Sequence, residues 1–132
     1  MNGLEHSKSL EGTRLLIAED EGLIAFDMEG ILTAMGSDVV GPVARVEDIL
    51  RKVERERLDG ALLDVNLRGR QVFEVLDEVL RRGIKVILTS GYDDDTLFPP
   101  RFRHLPRLPK PFEPGALRRI CLNIFGMPVP LK

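Results

Sequence analysis

The sequence predicts an α/β domain in which helices cover both faces of a doubly wound, parallel, five-stranded sheet. Short apolar runs alternate along the chain with longer segments whose apolar residues recur at helical spacing, and this alternation is typical of parallel strands joined by crossover helices. Most of the short runs carry no alternating polar residues, as expected of strands that are buried on both faces. The 132 residues suit one domain with a substantial core.

Five strands are predicted from the apolar runs. In chain order they are Thr13 to Ala18, Asp38 to Pro42, Gly60 to Asp64, Lys85 to Thr89 and Leu105 to Leu108. The second run ends at a Gly-Pro pair, which favours a turn. The fifth run contains Pro106, and because proline cannot donate a hydrogen bond to a neighbouring strand, we expect this strand at an edge of the sheet.

Four helices are predicted from apolar residues at helical spacing. The first runs from Gly22 to about Met35 and is ended by Gly36, and the last begins near Pro114 and ends before Gly126. The apolar stripes of the second and third helices are Val46, Ile49, Leu50 and Val53, then Val72, Val75, Leu76 and Val79. Residues 90–104 are rich in Gly, Asp and Pro, and leave room for one short helix at most.

The two ends of the chain are predicted to lie outside the packed domain, to which we assign residues 13–126. Residues 1–12 are mostly polar and indicate a flexible N-terminal extension, and residues 127–132 indicate a C-terminal tail. The N-terminal residues lack the apolar run of a signal peptide or anchor. No stretch of the sequence approaches about 18 continuous apolar residues, so no membrane-spanning segment is expected.

The composition limits which partners and which cellular compartment the sequence indicates. Nineteen basic and 21 acidic residues give a net charge of -2, so no bulk charge indicates a nucleic-acid partner or an anionic membrane. Cys121 is the only cysteine, which excludes an internal disulfide and a zinc site built from clustered cysteines. This cysteine usage fits a reducing compartment, and we expect the protein in the cytoplasm.

Three of the predicted strands run directly into polar residues. Because the carboxyl ends of parallel strands share one rim, we expect Asp20, Asp64 and Thr89 to face the same crevice. Two carboxylates about 4 Å apart repel by roughly 4 kcal/mol at an effective dielectric of 20, so Glu19, Asp20 and Asp64 need a counter-charge. The surrounding sequence offers oxygen ligands without histidine or cysteine, which suits Mg²⁺, and Lys110 offers a second positive charge.

This set of residues is equipped for phosphoryl transfer to a carboxylate. Asp64 can act as the nucleophile, while the cation and Lys110 screen the charge on the transferred group and the Thr89 hydroxyl donates a hydrogen bond. The hypothesis is therefore that Asp64 becomes an aspartyl phosphate.

Each of these residues also has a purely structural explanation. Asp64 could cap the following turn, the acids at positions 19–21 could complement the dipole of the first helix, Thr89 could be an ordinary strand residue, and Lys110 could be a solvated surface lysine. We expect Asp20 to serve both the helix and the cation, and Glu21 to be only a helix-start acid.

Four segments carry a resemblance to a known family. They are Leu-Leu-Ile-Ala-Glu-Asp-Glu ending at Glu21, Ala-Leu-Leu-Asp-Val-Asn-Leu around Asp64, Val-Ile-Leu-Thr-Ser-Gly around Thr89, and Pro-Lys-Pro-Phe around Lys110. In order and spacing they resemble the signatures of bacterial response-regulator receiver domains, over about Thr13 to Phe125. The resemblance implies a flavodoxin-like (βα)5 fold with strand order 2-1-3-4-5.

The resemblance also implies a role for each matching residue. Asp64 would be the phosphoacceptor from a sensor histidine kinase, and Thr89 and Lys110 would contact the phosphoryl group. Glu19, Asp20, Asp64 and the backbone carbonyl of Asn66 would bind Mg²⁺. The Lys110-Pro111 peptide bond would be cis.

A stand-alone receiver of this kind acts by binding a downstream protein when phosphorylated, or passes its phosphate to a histidine phosphotransfer protein. We expect it to be no enzyme beyond its own Mg²⁺-dependent phosphorylation and dephosphorylation.

Two positions depart from the commonest family pattern. Arg107 stands where an aromatic residue usually lies three positions before the lysine, and Arg68 stands where proline is frequent. The run Thr-Ser-Gly-Tyr at residues 89–92 resembles the Phe-Ala-Thr-Gly-Tyr motif of a single-domain subgroup of receivers. Thr89 and Tyr92 are therefore the candidate switch residues, that is, the residues whose side chains would move on phosphorylation. Tyr92 could equally be a half-buried loop residue.

Two other functional classes compete with this interpretation. One is a pseudo-receiver that binds its partner constitutively, against which the complete set of acids, Thr89 and Lys110 argue. The other is an aspartyl-phosphate phosphatase of the haloacid dehalogenase type. Such enzymes need a second aspartate two residues after the nucleophile, where this chain has Asn66.

Overall fold

The computed structural model describes residues 8–91 and 98–129. Its centre is a parallel sheet of five strands, which confirms the predicted fold class. The strands are β1 (Arg14–Ala18), β2 (Asp38–Val43), β3 (Gly60–Asp64), β4 (Lys85–Ser90) and β5 (Arg107–Pro109). Their order across the sheet is β2-β1-β3-β4-β5, which is the order 2-1-3-4-5 that the resemblance implied.

Within the described residues, four α-helices connect or follow these strands, close to their predicted positions. They are α1 (Gly22–Ala34), α2 (Val46–Arg55), α3 (Phe73–Arg81) and α4 (Pro114–Phe125). Between β4 and β5, the described residues contain a 3₁₀ turn at Pro100–Phe102. Within the described ranges, no helix is both long enough and apolar enough to span a bilayer.

Each face of the sheet is covered by its own apolar layer. Residues of α2, α3 and the 3₁₀ turn pack on one face, against side chains such as Leu16 and Leu63. Residues of α1 and α4 pack on the other face, against Leu15 and Leu62. Because consecutive strand residues point to opposite faces, the covering of both faces buries every residue of β3, and explains why the apolar runs in the sequence do not alternate.

Gly60 at the start of β3 lies against the side chain of Phe125 at the end of α4. A β-carbon placed on Gly60 would come within 2.4 Å of the Phe125 ring, so the ring occupies the space that any side chain would need. This contact presses the end of α4 directly onto the backbone of the strand that carries Asp64.

Residues 8–12 differ from the predicted flexible extension. Lys8–Ser9 pairs antiparallel with Met127–Pro128, and Leu10 is fully buried in the layer beside α1 and α4. The Thr13 hydroxyl donates a hydrogen bond to the carbonyl of Leu10 at 2.6 Å. The buried side chain of Leu10 thus holds this mostly polar segment on the domain. The first residues of the predicted C-terminal tail pair with the same segment.

Two strand boundaries also differ from prediction. β2 does not end at its Gly-Pro pair but continues to Val43, with a cis Gly41-Pro42 bond, Gly41 at φ +94° and a shift of register against β1. β5 begins at Arg107, two residues later than predicted, and it lies at the sheet edge as predicted. This shift of register accommodates the residues that the sequence pattern assigned to a turn.

Candidate functional site

An acidic cluster lies at the carboxyl ends of β1 and β3. Glu19 and Asp20 follow β1 directly, and Asp64 is the last residue of β3. One carboxylate oxygen from each of these residues lies within 4.8 Å of the others. Glu19 and Asp64 are buried, so water screens their mutual repulsion poorly.

Lys110 lies among these acids and is only 14% exposed. Its Nζ donates to Asp64 Oδ2 at 2.9 Å, to Glu19 Oε1 at 3.2 Å and to Glu21 Oε1 at 3.3 Å. The backbone N–H of Lys110 donates to the carbonyl of Ser90 at 2.8 Å, which fixes the residue beside the end of β4. The Lys110-Pro111 bond is cis, as the resemblance implied.

Backbone N–H groups orient each carboxylate of the acidic cluster. The N–H of Asn66 donates to Asp64 Oδ1 at 3.2 Å, and that of Glu21 donates to Glu19 Oε2 at 3.0 Å. The N–H of Arg68 donates to Asp20 Oδ2 at 2.9 Å. The three acids are therefore held from two loops of the chain.

The electrostatics of the cluster show a shortage of positive charge. The pKa of Glu19 is raised to about 7. Burial is the largest cause and the charge of Asp64 also raises the pKa, while the hydrogen bond from the Glu21 backbone and the contact with Lys110 lower it. Burial lowers the pKa of Lys110, but the hydrogen bond and charge of Asp64, together with Glu19, more than reverse this effect and raise it overall. One lysine thus shares its charge among several acids.

Thr89 lies directly opposite Asp64 in the register between β3 and β4. It is fully buried, and in the described part of the chain its Oγ1 finds no hydrogen-bond partner. A buried hydroxyl without a partner is costly. This hydroxyl, beside the Asp64 carboxylate, is available to donate to a group that enters the site.

The cluster opens into a pocket of about 430 Å³, and the pocket brings together most of the predicted site residues. It is lined by Asp20, Glu21, Asp64, Asn66, Gly69, Gly91 and Lys110. Glu19 lies beneath this lining, in contact with Lys110. Tyr92, the second switch candidate, lies outside the described residues.

Arg107 does not reproduce the aromatic residue of the commonest family pattern, but its side chain contacts one. Its guanidinium carbon lies 4.3 Å from the centre of the Phe98 ring, which is a cation–π distance. Phe98 is buried on the face of the sheet covered by α3, where Phe73 lies 4.9 Å from it.

Two contributions to the site were not predicted. Glu21 was expected to be only a helix-start acid, yet its carboxylate contacts Lys110 and lines the pocket. Its position next to Asp20 could have indicated this contact. The hydrogen bond from the Arg68 N–H to Asp20 has one weak signal in the sequence, which is that position 68 is not proline, since every other residue carries that donor.

The donor chemistry of the cluster fits Mg²⁺. Glu19, Asp20 and Asp64 offer three carboxylates, and hard, oxygen-only ligand sets of this kind suit Mg²⁺ rather than a softer metal. Asn66 lines the same pocket, while the role of its backbone carbonyl as a ligand stays a prediction.

Comparison with known proteins identifies relatives of similar size and shape. No protein-family model matches the sequence. The chain is 38% identical to SdrG from Sphingomonas melonis Fr1, whose solution structure superposes with a TM-score of 0.72 over 81% of this chain and 91% of that one. A response regulator receiver domain protein (CheY-like) from Methanospirillum hungatei JF-1 is 28% identical, with a TM-score of 0.73 over 84% of this chain and 91% of that one.

A curated relative is considerably longer than this chain. The phyllosphere-induced regulator PhyR of Methylorubrum extorquens is 30% identical over 111 residues, which are 82% of this chain and 42% of that protein. The chain therefore spans about two fifths of the length of the curated relatives that it matches.

Proposed function

The chain belongs to the response-regulator receiver family, and on that premise we propose that it is a stand-alone receiver that accepts a phosphoryl group on Asp64. The donor is a sensor histidine kinase. The phosphorylated form either binds a downstream protein or passes the group to a histidine phosphotransfer protein.

The observation that carries this proposal is the environment of the Asp64 carboxylate. Its Oδ2 accepts from Lys110 Nζ at 2.9 Å and its Oδ1 from the Asn66 N–H at 3.2 Å, and it lies within 4.8 Å of oxygens from Glu19 and Asp20. These contacts orient the carboxylate at the opening of a pocket.

The proposed reaction is a transfer from phosphohistidine to aspartate. A carboxylate oxygen of Asp64 attacks phosphorus, a P–O bond forms, and the P–N bond to the imidazole breaks, leaving the imidazole to take up a proton. Lys110 balances charge on the transferred oxygens, and the Thr89 hydroxyl donates to one of them. Mg²⁺ held by Glu19, Asp20 and Asp64 would supply the remaining positive charge.

A small-molecule phosphodonor tests the chemistry without the kinase. We expect acetyl phosphate with Mg²⁺ to add one phosphoryl group to the purified chain, detected by intact-mass spectrometry, and we expect none on Asp64→Asn. The matched control is Asp59→Asn, which changes an aspartate at the opposite end of β3 and should be labelled normally. Equal labelling of Asp64→Asn and the wild type would contradict the proposal, and no labelling of the wild type would favour a constitutive binding protein.

The surface of α1 supports a protein partner beside the crevice. Leu23 is 84% exposed and Phe26 is 72% exposed, and both lie in the first turns of the helix that begins directly after the acids at positions 19–21. Large exposed apolar side chains mark interaction surfaces. We propose that the kinase or phosphotransfer protein contacts this surface while its histidine reaches Asp64.

The two phosphodonors separate docking from chemistry. Leu23→Ser together with Phe26→Ser should slow phosphoryl transfer from the protein partner and leave labelling by acetyl phosphate unchanged. Met127→Ser, an exposed apolar residue elsewhere on the domain, serves as the control. A double variant that accepts phosphate from the partner at the wild-type rate would exclude α1 as the docking surface.

Three further elements complete the proposal. The chain is not an enzyme acting on other substrates, and catalyses only its own phosphorylation and dephosphorylation. It functions in the cytoplasm, in keeping with its single, buried cysteine. It acts through proteins rather than nucleic acid or membrane, in keeping with its near-neutral net charge.

A further inference from the structure

The loop after β3 is a small hairpin with a tight turn. Asn66–Leu67 pairs antiparallel with Arg70–Gln71, which leaves Arg68 and Gly69 as the two turn residues. Both have positive φ angles, +50° and +84°, as in the type I′ turns that close two-residue hairpins. Arg68 is the only residue other than glycine with a positive φ in the described ranges.

Several contacts fix the position of this turn. Leu67 is buried in the layer beside α2 and α3, the Gly69 N–H donates to Asn66 Oδ1 at 3.1 Å, and the Val72 N–H donates to the carbonyl of Val65 at 2.8 Å. The hairpin is thus anchored at its base and within its turn. A donor on the turn is held in place before any ligand arrives.

We propose that Arg68 is a positioning residue for the cation site, acting through its backbone. Its N–H donates to Asp20 Oδ2 at 2.9 Å and so holds the Asp20 carboxylate beside Glu19 and Asp64. A hydrogen bond to a carboxylate is charge-assisted and directional, and a carboxylate held through one oxygen can present the other to a cation. The inference rests on the proposed function, since it concerns the cation of the same site.

The identity of residue 68 decides whether this contact can exist. A proline at this position would carry no N–H, and its ring would fix φ near -65°, which is incompatible with the observed +50°. Arginine supplies the donor but is an uncommon residue at a position with positive φ. The side chain itself is exposed, so the role belongs to the backbone and not to the guanidinium.

Magnesium titrations of the full chain by calorimetry, without a phosphodonor, test the proposal. Arg68→Pro removes the donor and the turn geometry, and should weaken Mg²⁺ binding about tenfold, the change expected for one charge-assisted hydrogen bond. Arg68→Ala and Arg68→Gly keep the N–H and should bind within about twofold of the wild type. Wild-type affinity in Arg68→Pro, or an equal loss in Arg68→Ala, would overturn the proposal.

A second measurement remains informative if Arg68→Pro fails to fold. Amide hydrogen exchange of residue 68, followed by NMR, should quicken roughly tenfold in Asp20→Ala because the acceptor is lost. The Gly69 amide, whose acceptor is Asn66, should exchange unchanged. Exchange of the residue 68 amide at the wild-type rate in Asp20→Ala would also overturn the proposal.

The outcomes distinguish this inference from the proposed function. Weakened Mg²⁺ binding in Arg68→Pro together with an unlabelled wild-type Asp64 would leave the inference standing and remove the proposed function. Normal labelling of Asp64 together with wild-type Mg²⁺ affinity in Arg68→Pro would remove the inference alone.

Discussion

The two ends of the parallel sheet carry similar charged residues in different surroundings. At the amino end, Arg14 contacts Glu56 at 2.8 Å and Asp38 at 3.1 Å, and its backbone N–H donates to Asp59 at 2.8 Å. At the carboxyl end, Lys110 contacts Asp64 at 2.9 Å and Glu19 at 3.2 Å. The distances are comparable, so geometry alone does not separate a structural cluster from a functional one.

Burial and charge balance separate the two clusters. The amino-end acids are partly exposed, and Asp59 is also paired with Arg57 at 3.1 Å, so three carboxylates share two arginines. At the carboxyl end Lys110 contacts three carboxylates, those of Glu19, Glu21 and Asp64. The carboxylate of Asp20 lies beside them, and Glu19 and Asp64 are buried. Partly exposed ion pairs contribute little to stability, whereas a buried and larger excess of negative charge stores repulsion that a bound cation can relieve.

The largest expected difference between the two clusters comes from substituting the basic side chain of each. In metal-free buffer, Lys110→Met should lower the free energy of unfolding by about 3 kcal/mol, because it leaves buried carboxylates without a counter-charge. Arg14→Met should cost much less, since water replaces its contacts. Urea unfolding with EDTA measures both, and equal losses would contradict the contrast.

Magnesium should act on the carboxyl end alone. At a free concentration of about 100 times its dissociation constant, Mg²⁺ should raise the free energy of unfolding by about 2.7 kcal/mol, and EDTA should reverse the effect. Asp20→Asn should lose most of this stabilisation and Asp38→Asn should keep it. Thermal unfolding with and without Mg²⁺ measures this stabilisation. If Mg²⁺ stabilised Asp20→Asn as much as the wild type, the ion would bind at a site that does not include Asp20.

The pH dependence of the metal-free protein should report on Glu19. Its pKa is raised from 4.5 to about 7 in the folded state, so folding favours the protonated form. This contribution is fully present below pH 4.5 and is lost as the pH rises through 7. Between pH 5 and pH 8 we expect a loss of roughly 2 kcal/mol, because Glu19 is buried and its pKa difference acts over most of that interval.

Glu19→Gln should flatten this slope, and Glu56→Gln at the amino end should leave it unchanged. Urea unfolding at a series of pH values in EDTA provides the measurement. A slope of the opposite sign, or one that survives Glu19→Gln, would assign the pH dependence to other groups.

The smallest expected changes in the free energy of unfolding come from aspartate-to-asparagine substitutions, and they have opposite signs at the two ends of the sheet. In metal-free buffer, Asp20→Asn should raise the free energy of unfolding by less than about 1 kcal/mol, because it relieves repulsion from Glu19 and Asp64. Asp59→Asn should lower it, because Asp59 is the acceptor for Arg14 and the partner of Arg57. Melting temperatures that move in the same direction would show that the two clusters do not differ in charge balance.

The sequence predicts the sheet and the main site residues because both follow from local patterns. Apolar runs such as Leu15–Ile17 mark doubly buried strands, and the polar residues that end them must share a rim once the strands are parallel. The same reasoning could not give the pairing of Lys8–Ser9 with Met127–Pro128, since two-residue segments so far apart carry no periodic signal. The burial of Leu10 was hidden within a polar stretch for the same reason.

The unpredicted contacts at the site depend on the directions of particular groups in space. Arg68 reaches Asp20 only because the turn gives it a positive φ, which its residue type does not favour. Glu21, the residue just before α1, reaches Lys110 through its side chain. Arg107 lies over the ring of Phe98, which is nine positions away. Such contacts follow from the folded backbone, and residue type alone does not specify them.

The ring of Phe125 against Gly60 restricts how this family member can vary. The backbone at Gly60 has no positive φ, so conformation would allow any residue there, and only the missing space forbids it. Saturation mutagenesis at Gly60 should therefore return almost only glycine. A simultaneous change of Phe125 to a smaller residue should increase the number of residue types tolerated at position 60. These two distant positions are therefore expected to covary.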